Sequence, residues 1–255
     1  MNERVRELEE VLVDGWRAME EEHLGGWLLR ASCGFTSRGN SALPLSDPGH
    51  ELPVAIDLVE QWYAERDLPT RVAIADEDSD APLVQELTRR GYTPSKRTLV
   101  ATAETSAIPP IPENAPPVTV DPALTRDWLE AFAAYRSVLP GVTEQLLTGS
   151  SGQMFLSTRV GQHGAFTGIA RMTISSGWAG LHTVWVHPGA RRTSVSTALA
   201  SALALLARQN NVPNVYTLVE EGNTPARKLY ENMGFTAHHD YYYLRQPSQR
   251  RGLLS

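Results

Sequence analysis

The chain has 255 residues, 42% of them hydrophobic and 20% charged, which is enough for one large domain or two small ones. Its formal net charge of -6 and pI of about 5.7 argue against general nucleic-acid binding, whose footprint is basic, and leave room for a cationic substrate such as an amine. No apolar run approaches the roughly 20 residues of a membrane span, and "MNERVRELEEV" is too charged for a secretory signal. The single Cys33 excludes an internal disulfide framework, so a cytoplasmic location is expected.

In chain order, residues 4–22 read as an amphipathic helix, with Val5, Leu8, Leu12, Trp16 and Met19 at helical spacing. "GGWLLRAS" and "SRGNSALPL" look like paired strands, with Cys33 between them as a small packed thiol rather than a nucleophile. "ELPVAIDLVEQWYAERDL" reads as a helix and "TRVAIA" as a strand. "DAPLVQELTRRGY" is a helix that Asp80 can cap and Gly91 can end, and "RTLVATAE" is a closing strand. Five prolines then fall between Pro109 and Pro117, where neither helix nor inner strand persists, so this stretch reads as an extended linker.

The second half repeats the order. "DWLEAFAAYRSVL" is helical; "GAFTGIARMTIS" and "WAGLHTVWV" alternate as strands. "SVSTALASALALLARQN" is a helix with Val195, Leu199, Leu203 and Leu206 on one face. "NVYTLVE" is a strand, a short helix follows, and "AHHDYYYLR" closes as a strand with Tyr241 and Tyr243 on one face and Tyr242 on the other. Aligning the last helices sets Gly91–Tyr92 against Gly234–Phe235, an offset of 143 residues (234 − 91). The same offset sets Pro82 against Pro225 and Asp80 against Asn223, which points to an internal duplication. The expected organisation is residues 1–105, a linker over 106–117, and residues 118–255: an α/β (α+β) chain with two tandem mixed sheets flanked by helices.

Two segments carry candidate chemistry. In "VWVHPGARRTSVSTALA" a strand leads through Arg191 and Arg192 into a helix near Ser194. A helix start offers unpaired N–H groups and a positive dipole end, which suit a phosphate. Ser194, Ser196 and Thr197 add hydroxyls; on this segment alone a Ser-capped helix with solvated arginines explains as much. In "GNTPARKLYENMGF" Asn223 can cap a helix and Pro225 fits its first turn. Ala226, Leu229, Tyr230 and Met233 share a face, so Tyr230 is either core packing or a phenol at a cleft edge.

Together these segments resemble the GCN5-related N-acetyltransferase family. "VHPGARRTSVS" follows its phosphate turn, with Arg191 at the Arg/Gln position. Asn223, Ala226, Leu229, Tyr230, Gly234 and Phe235 match its later signature in full. The resemblance covers roughly Val118 to Arg245. It implies a sheet whose two central parallel strands splay apart, with acetyl-CoA as co-substrate in the opening. The pantetheine arm would meet the backbone near Val184 and Val186, and the pyrophosphate would meet the N–H groups of Arg192, Thr193, Ser194, Val195, Ser196 and Thr197. Asn223, with Ala226 beside it, would contact the pantetheine arm, and Tyr230 would protonate the departing thiolate. A strand N–H freed by the splay would steady the oxyanion.

Ser194 and Ser196 depart from the family's pattern, where glycine or alanine is usual, and predict altered CoA binding. The first copy is degenerate: its turn, "PLSDPGHEL", has Asp47 and no Arg, and Leu87 stands where Tyr230 stands in the second. The candidate general bases are His182 and Glu220, with Glu221 beside the latter. No metal motif is evident; His187, His238 and His239 are spaced unlike a zinc set. The expected activity is direct acyl transfer from acetyl-CoA to the primary amine of a small molecule, peptide or protein, without nucleic-acid or membrane partners. The rival is a CoA-binding sensor or partner-binding protein of the same fold.

Overall fold

The N-terminal helix, α1, spans Glu3–Gly15 and stops well short of residue 22. Gly15 weakens the helix where it ends, and the next residues gain more by pairing. Glu20–Leu24 (β1) lies antiparallel on Trp27–Ala31 (β2), from Glu20↔Ala31 to Leu24↔Trp27. The Gly25–Gly26 turn between them needs glycine, since Gly25 has φ +54.

The structure is a computed structural model and describes residues 1–76, 78–161 and 164–247. The chain divides into two units. One holds Met1–Glu9, Ala18–Arg97 and the residues from Asp240 on; the other holds Glu10–Arg17 and Thr98–His239.

In the first unit, β2 also pairs antiparallel with β3 (Leu43–Pro44). Helix α2 (Leu52–Ala64) follows, then β4 (Arg71–Ile74), joined to the β3 side by a parallel bridge at Ala42↔Val72. Helix α3 (Ala81–Arg89) and the short β5 (Thr93–Pro94) complete this stretch. Trp27, Ile56, Val59, Tyr63, Val72, Ile74, Leu87 and Tyr242 lie in its apolar core. Asp80 stands at the N-cap of α3 but its side chain makes no capping bond. Cys33 is exposed, with φ 51, because it sits in the irregular loop after β2 rather than on the packed strand.

In the second unit come β6 (Thr98–Glu104), β7 (Val118–Asp121), α4 (Arg126–Ala133), α5 (Val142–Thr148), β8 (Met154–Arg159), β9 (Phe166–Ser175) and β10 (Trp178–Val186). Helix α6 (Val195–Gln209), β11 (Asn214–Glu220) and α7 (Thr224–Asn232) follow, and β12 (Thr236–Arg245) starts here and belongs to the first unit from Asp240 on. The sheet runs β6-β11-β10-β9-β8-β7 among the described residues. Every neighbouring pair is antiparallel except β10 with β11, which is parallel. Leu156, Ala170, Met172, Leu181, Leu199, Leu203, Val215 and Tyr230 contribute to the core beneath α6 and α7. Helix α4 is shorter than "DWLEAFAAYRSVL" suggests, and α5 and β8 carry no signal that the sequence reading singles out.

The closing strands do not stay with their own halves. β6 follows α3 in sequence but pairs with β11 throughout, from Asn214↔Glu104 to Glu220↔Thr98. Tyr242–Arg245 of β12 follow α7 but pair with β4. Alternation along a strand marks which face is buried, not which partner it takes. The offset of 143 holds for element boundaries: Leu52 starts α2 and Val195 starts α6, Arg71 starts β4 and Asn214 starts β11, and Ala81–Arg89 maps onto Thr224–Asn232. Gly91 and Gly234, after the last pair, both have positive φ, +83 and +90. The architecture is α/β, with mixed sheets flanked by helices.

Candidate functional site

Strands β10 and β11 pair in parallel from Trp178↔Asn214 to Leu181↔Thr217, and the pairing then stops although both strands continue, to Val186 and Glu220. That end is the splay. On its other edge β10 carries a bulge: its register with β9 shifts between His182 and Trp185. Thr183, inside the bulge, has φ 51, a strained conformation for a β-branched residue. Its carbonyl accepts from the Tyr135 hydroxyl at 2.9 Å, and Tyr135 stacks on Trp185 at 5.2 Å between ring centroids. The Thr183 hydroxyl is buried with no hydrogen-bond partner among the described residues. The sequence reading missed Thr183 and Tyr135; nothing local marks a bulge in "LHTVWV".

The side chains of Val184 and Val186 are half-buried and pack against the core beneath α6, on the strand segment past the splay. After a short 3-10 turn over Pro188–Ala190, Arg191, Arg192 and Thr193 are exposed, and Ser194 is the N-cap of α6. Arg192 and Ser194 both adopt left-handed backbone, φ 63 and φ 59. The Ser194 side chain makes no capping bond, so the first-turn N–H groups of α6 are not taken by the cap. Ser196 lies within the helix, where serine fits without strain. Val195 is buried, and a Cβ at Gly168 would come within 2.4 Å of its side chain, so the helix start presses closely on β9.

The same place in the first unit is built differently. Glu51 is the N-cap of α2, with an ordinary φ of -55. The β1–β2 turn fills the space beside the preceding loop: Gly26 N–H donates to the Asp47 carbonyl at 2.7 Å, and a Cβ at Gly25 would meet Pro48 backbone at 2.3 Å. Leu87, opposite Tyr230 in the offset, is fully buried.

Asn223 caps α7, its Oδ1 accepting from Ala226 N–H at 3.3 Å. Tyr230 on α7 is buried, 6% exposed, with Phe235 packed on its ring at 5.3 Å. Its hydroxyl lies beside the Thr217 side chain, and burial pushes its pKa up to about 12. Thr217 is the last residue of β11 paired with β10, and its own hydroxyl donates to the Leu181 carbonyl at 3.3 Å. The fold therefore brings the Tyr230 phenol to the point where the two strands part.

His182 lies one residue past the last pair, 5% exposed. Its Nε2 is 3.0 Å from the Thr173 hydroxyl and 3.2 Å from the Tyr216 hydroxyl. Glycines at 15 and 180 make this possible, because a Cβ at either would lie within 3.0 Å of the His182 ring and closer still to Tyr216. Glu220 and Glu221 are exposed at the end of β11 and beyond it, and the Glu220 carbonyl accepts from Asn223 N–H at 2.8 Å. The fold thus brings Tyr230 and Thr217 to the splay, sets His182 beside Tyr216 on the other face of the sheet, and leaves the Glu220 side chain in solvent. Among the described residues no group of three or more His, Cys, Asp or Glu side chains is placed to hold a metal.

Residues 3–244 match the family model described as "Probable histone acetyltransferase Rv0428c C-terminal". The chain belongs to this acetyltransferase family. A curated relative, the "Probable histone acetyltransferase Rv0428c" of Mycobacterium tuberculosis, is 39% identical over 72 residues, 28% of this chain. The match spans 23% of that relative, under a quarter of its length. A GCN5-related N-acetyltransferase from Kribbella flavida superposes with a TM-score of 0.72 at 17% identity, over 97% of this chain and 96% of that one. A tandem protein of the same fold from the clavulanic acid biosynthesis pathway gives 0.60 at 14% identity, over 81% and 75%. At these identities the superpositions speak for the fold. No helix among the described residues is long and apolar enough to cross a membrane.

Proposed function

We propose that this acetyltransferase-family chain moves an acetyl group from acetyl-CoA to a primary amine by direct attack. The observation that carries the reading is the coincidence of three features in one unit: the end of β10–β11 pairing at Leu181↔Thr217, the Tyr230 hydroxyl beside Thr217, and the uncapped start of α6. Acetyl-CoA, when bound, supplies an activated thioester. The N–H groups that lead into and open α6, from Arg192 to Thr197, would hold its pyrophosphate, with the Arg191 guanidinium adding charge. The β10 backbone near Val184 and Val186, with Asn223 and Ala226, would line the pantetheine arm. Tyr230 stays protonated at neutral pH and can donate to the sulfur that leaves. His182, joined to Tyr216 and Thr173, is the better-placed base, because it adjoins the splay; Glu220 is a solvent-side alternative.

The same reading makes the chain a duplication, with copies over residues 1–105 and 118–255 joined by the Pro-rich 106–117. The offset of 143 shared by α2 and α6, β4 and β11, and α3 and α7 supports it. Glu51 at the α2 N-cap and the loop filled by Gly25 and Gly26 support a first copy without CoA chemistry. Calorimetric titration with acetyl-CoA tests the core of the proposal. Saturable binding is expected, weakened in Arg191→Ala; no binding at sub-millimolar acetyl-CoA removes the reading. A thiol-release assay then scans acceptors, with small amines in one arm and lysine-rich histone-tail peptides in another, the latter prompted by the mycobacterial relative's name. Binding without thiol release across the panel would leave a CoA sensor.

A further inference from the structure

Arg71 and Arg245 face each other across the first unit's sheet, as direct Cα partners in the antiparallel β4–β12 ladder. Like charges placed so are destabilising without a counter-ion. Arg71 is half-buried, and its Nε and Nη1 are buried with no hydrogen-bond partner among the described residues. Burial, followed by the charge of Arg245, lowers its pKa; among the described residues the remaining groups acting on it are the Tyr63 and Tyr243 phenols, with no carboxylate. A desolvated guanidinium with unused donors and a like charge opposite calls for an anion. Arg245 is exposed, so the site opens to solvent on its side. Guanidinium forks match the planar or tetrahedral oxygens of carboxylate and phosphate.

We propose that Arg71 and Arg245 form a binding site for a small oxyanion, a phosphate or carboxylate group, on the first unit and separate from the α6 helix start. The test is calorimetric titration of the full chain with inorganic phosphate in one arm and acetate in the other, at constant ionic strength. Saturable binding in at least one arm is expected, and the arm that binds names the anion. Affinity should fall at least roughly tenfold in Arg71→Gln and in Arg245→Gln, the loss of a charge-assisted hydrogen-bonding partner, and persist in Arg191→Ala. Should Arg71→Gln fail to fold, the exposed Arg245→Gln decides. No saturable heat in either arm, heat unchanged in Arg245→Gln, or heat lost only in Arg191→Ala would each overturn the proposal.

Discussion

Replacing Tyr230 with phenylalanine removes one oxygen and leaves the ring against Phe235. The phenol's pKa of about 12 leaves only about one molecule in ten thousand ionised at pH 8. An ordinary thiol titrates near 8.5, so complete proton transfer from this phenol to a thiolate would be uphill by about 5 kcal/mol unless the pocket raises the thiol equally. The hydroxyl therefore acts chiefly as a fixed donor that steadies charge growing on the departing sulfur. A single fixed donor of that kind is worth roughly 10²- to 10³-fold in turnover. Stability should change by no more than about 1 kcal/mol, because the ring and its packing stay and only one hydroxyl is lost. The assay is thiol release with saturating acceptor, paired with calorimetry of acetyl-CoA binding. Tyr230→Phe should lose 10²- to 10³-fold in kcat, on the basis of that donor term, and bind acetyl-CoA almost as well as the native chain. Turnover within about threefold of native, with folding intact, would refute the reasoning and leave Tyr230 a packing residue; general acids and fixed donors contribute far more than that.

Other substitutions probe the frame. Ser194→Gly should stabilise the chain by about 0.5–1 kcal/mol in denaturant unfolding, since relief at φ 59 outweighs glycine's added unfolded-state entropy; Ser194→Ala, which keeps the Cβ, should not. Asp80 has its pKa raised from 3.8 to about 6, by burial first. The folded state thus favours its protonated form, so a penalty is absent well below pH 3.8, is about 0.5 kcal/mol at pH 4, grows up to pH 6 and reaches about 3 kcal/mol at pH 7. Asp80→Asn should therefore melt higher than native at pH 7 and nearly with it at pH 4; an equal gap at both would contradict the cause. A chain starting at residue 118 loses β6, which pairs along all of β11, and the core residues Ala101 and Ala103. It should show no cooperative melt by circular dichroism, and a sharp two-state transition would count against the strand exchange.

The local signals were legible because they are written in nearest-neighbour chemistry. Asn223, Pro225 and the Gly234 stop define α7 without reference to any other part of the chain. The offset of 143 needs only comparison along the sequence, and it matches the element starts. Gly15 is the counter-example: the helical stripe continues past it through Trp16 and Met19, yet the residues from Glu20 leave for a hairpin. Cys33 likewise followed its neighbours' apolar pattern in sequence but lies in an exposed turn.

What the sequence determined by itself was the class of fold, the turn before α6 and the capped helix bearing Tyr230, because periodicity, caps and glycine stops act within a few residues. Only the tertiary structure decided which strand β6 joins, where β10 parts from β11, that Thr183 is held left-handed under Tyr135, and that His182 meets Tyr216 rather than solvent. Each of those depends on partners tens of residues away. Strand alternation fixes a face and not a neighbour, so pairing energy between distant segments settles what local pattern leaves open.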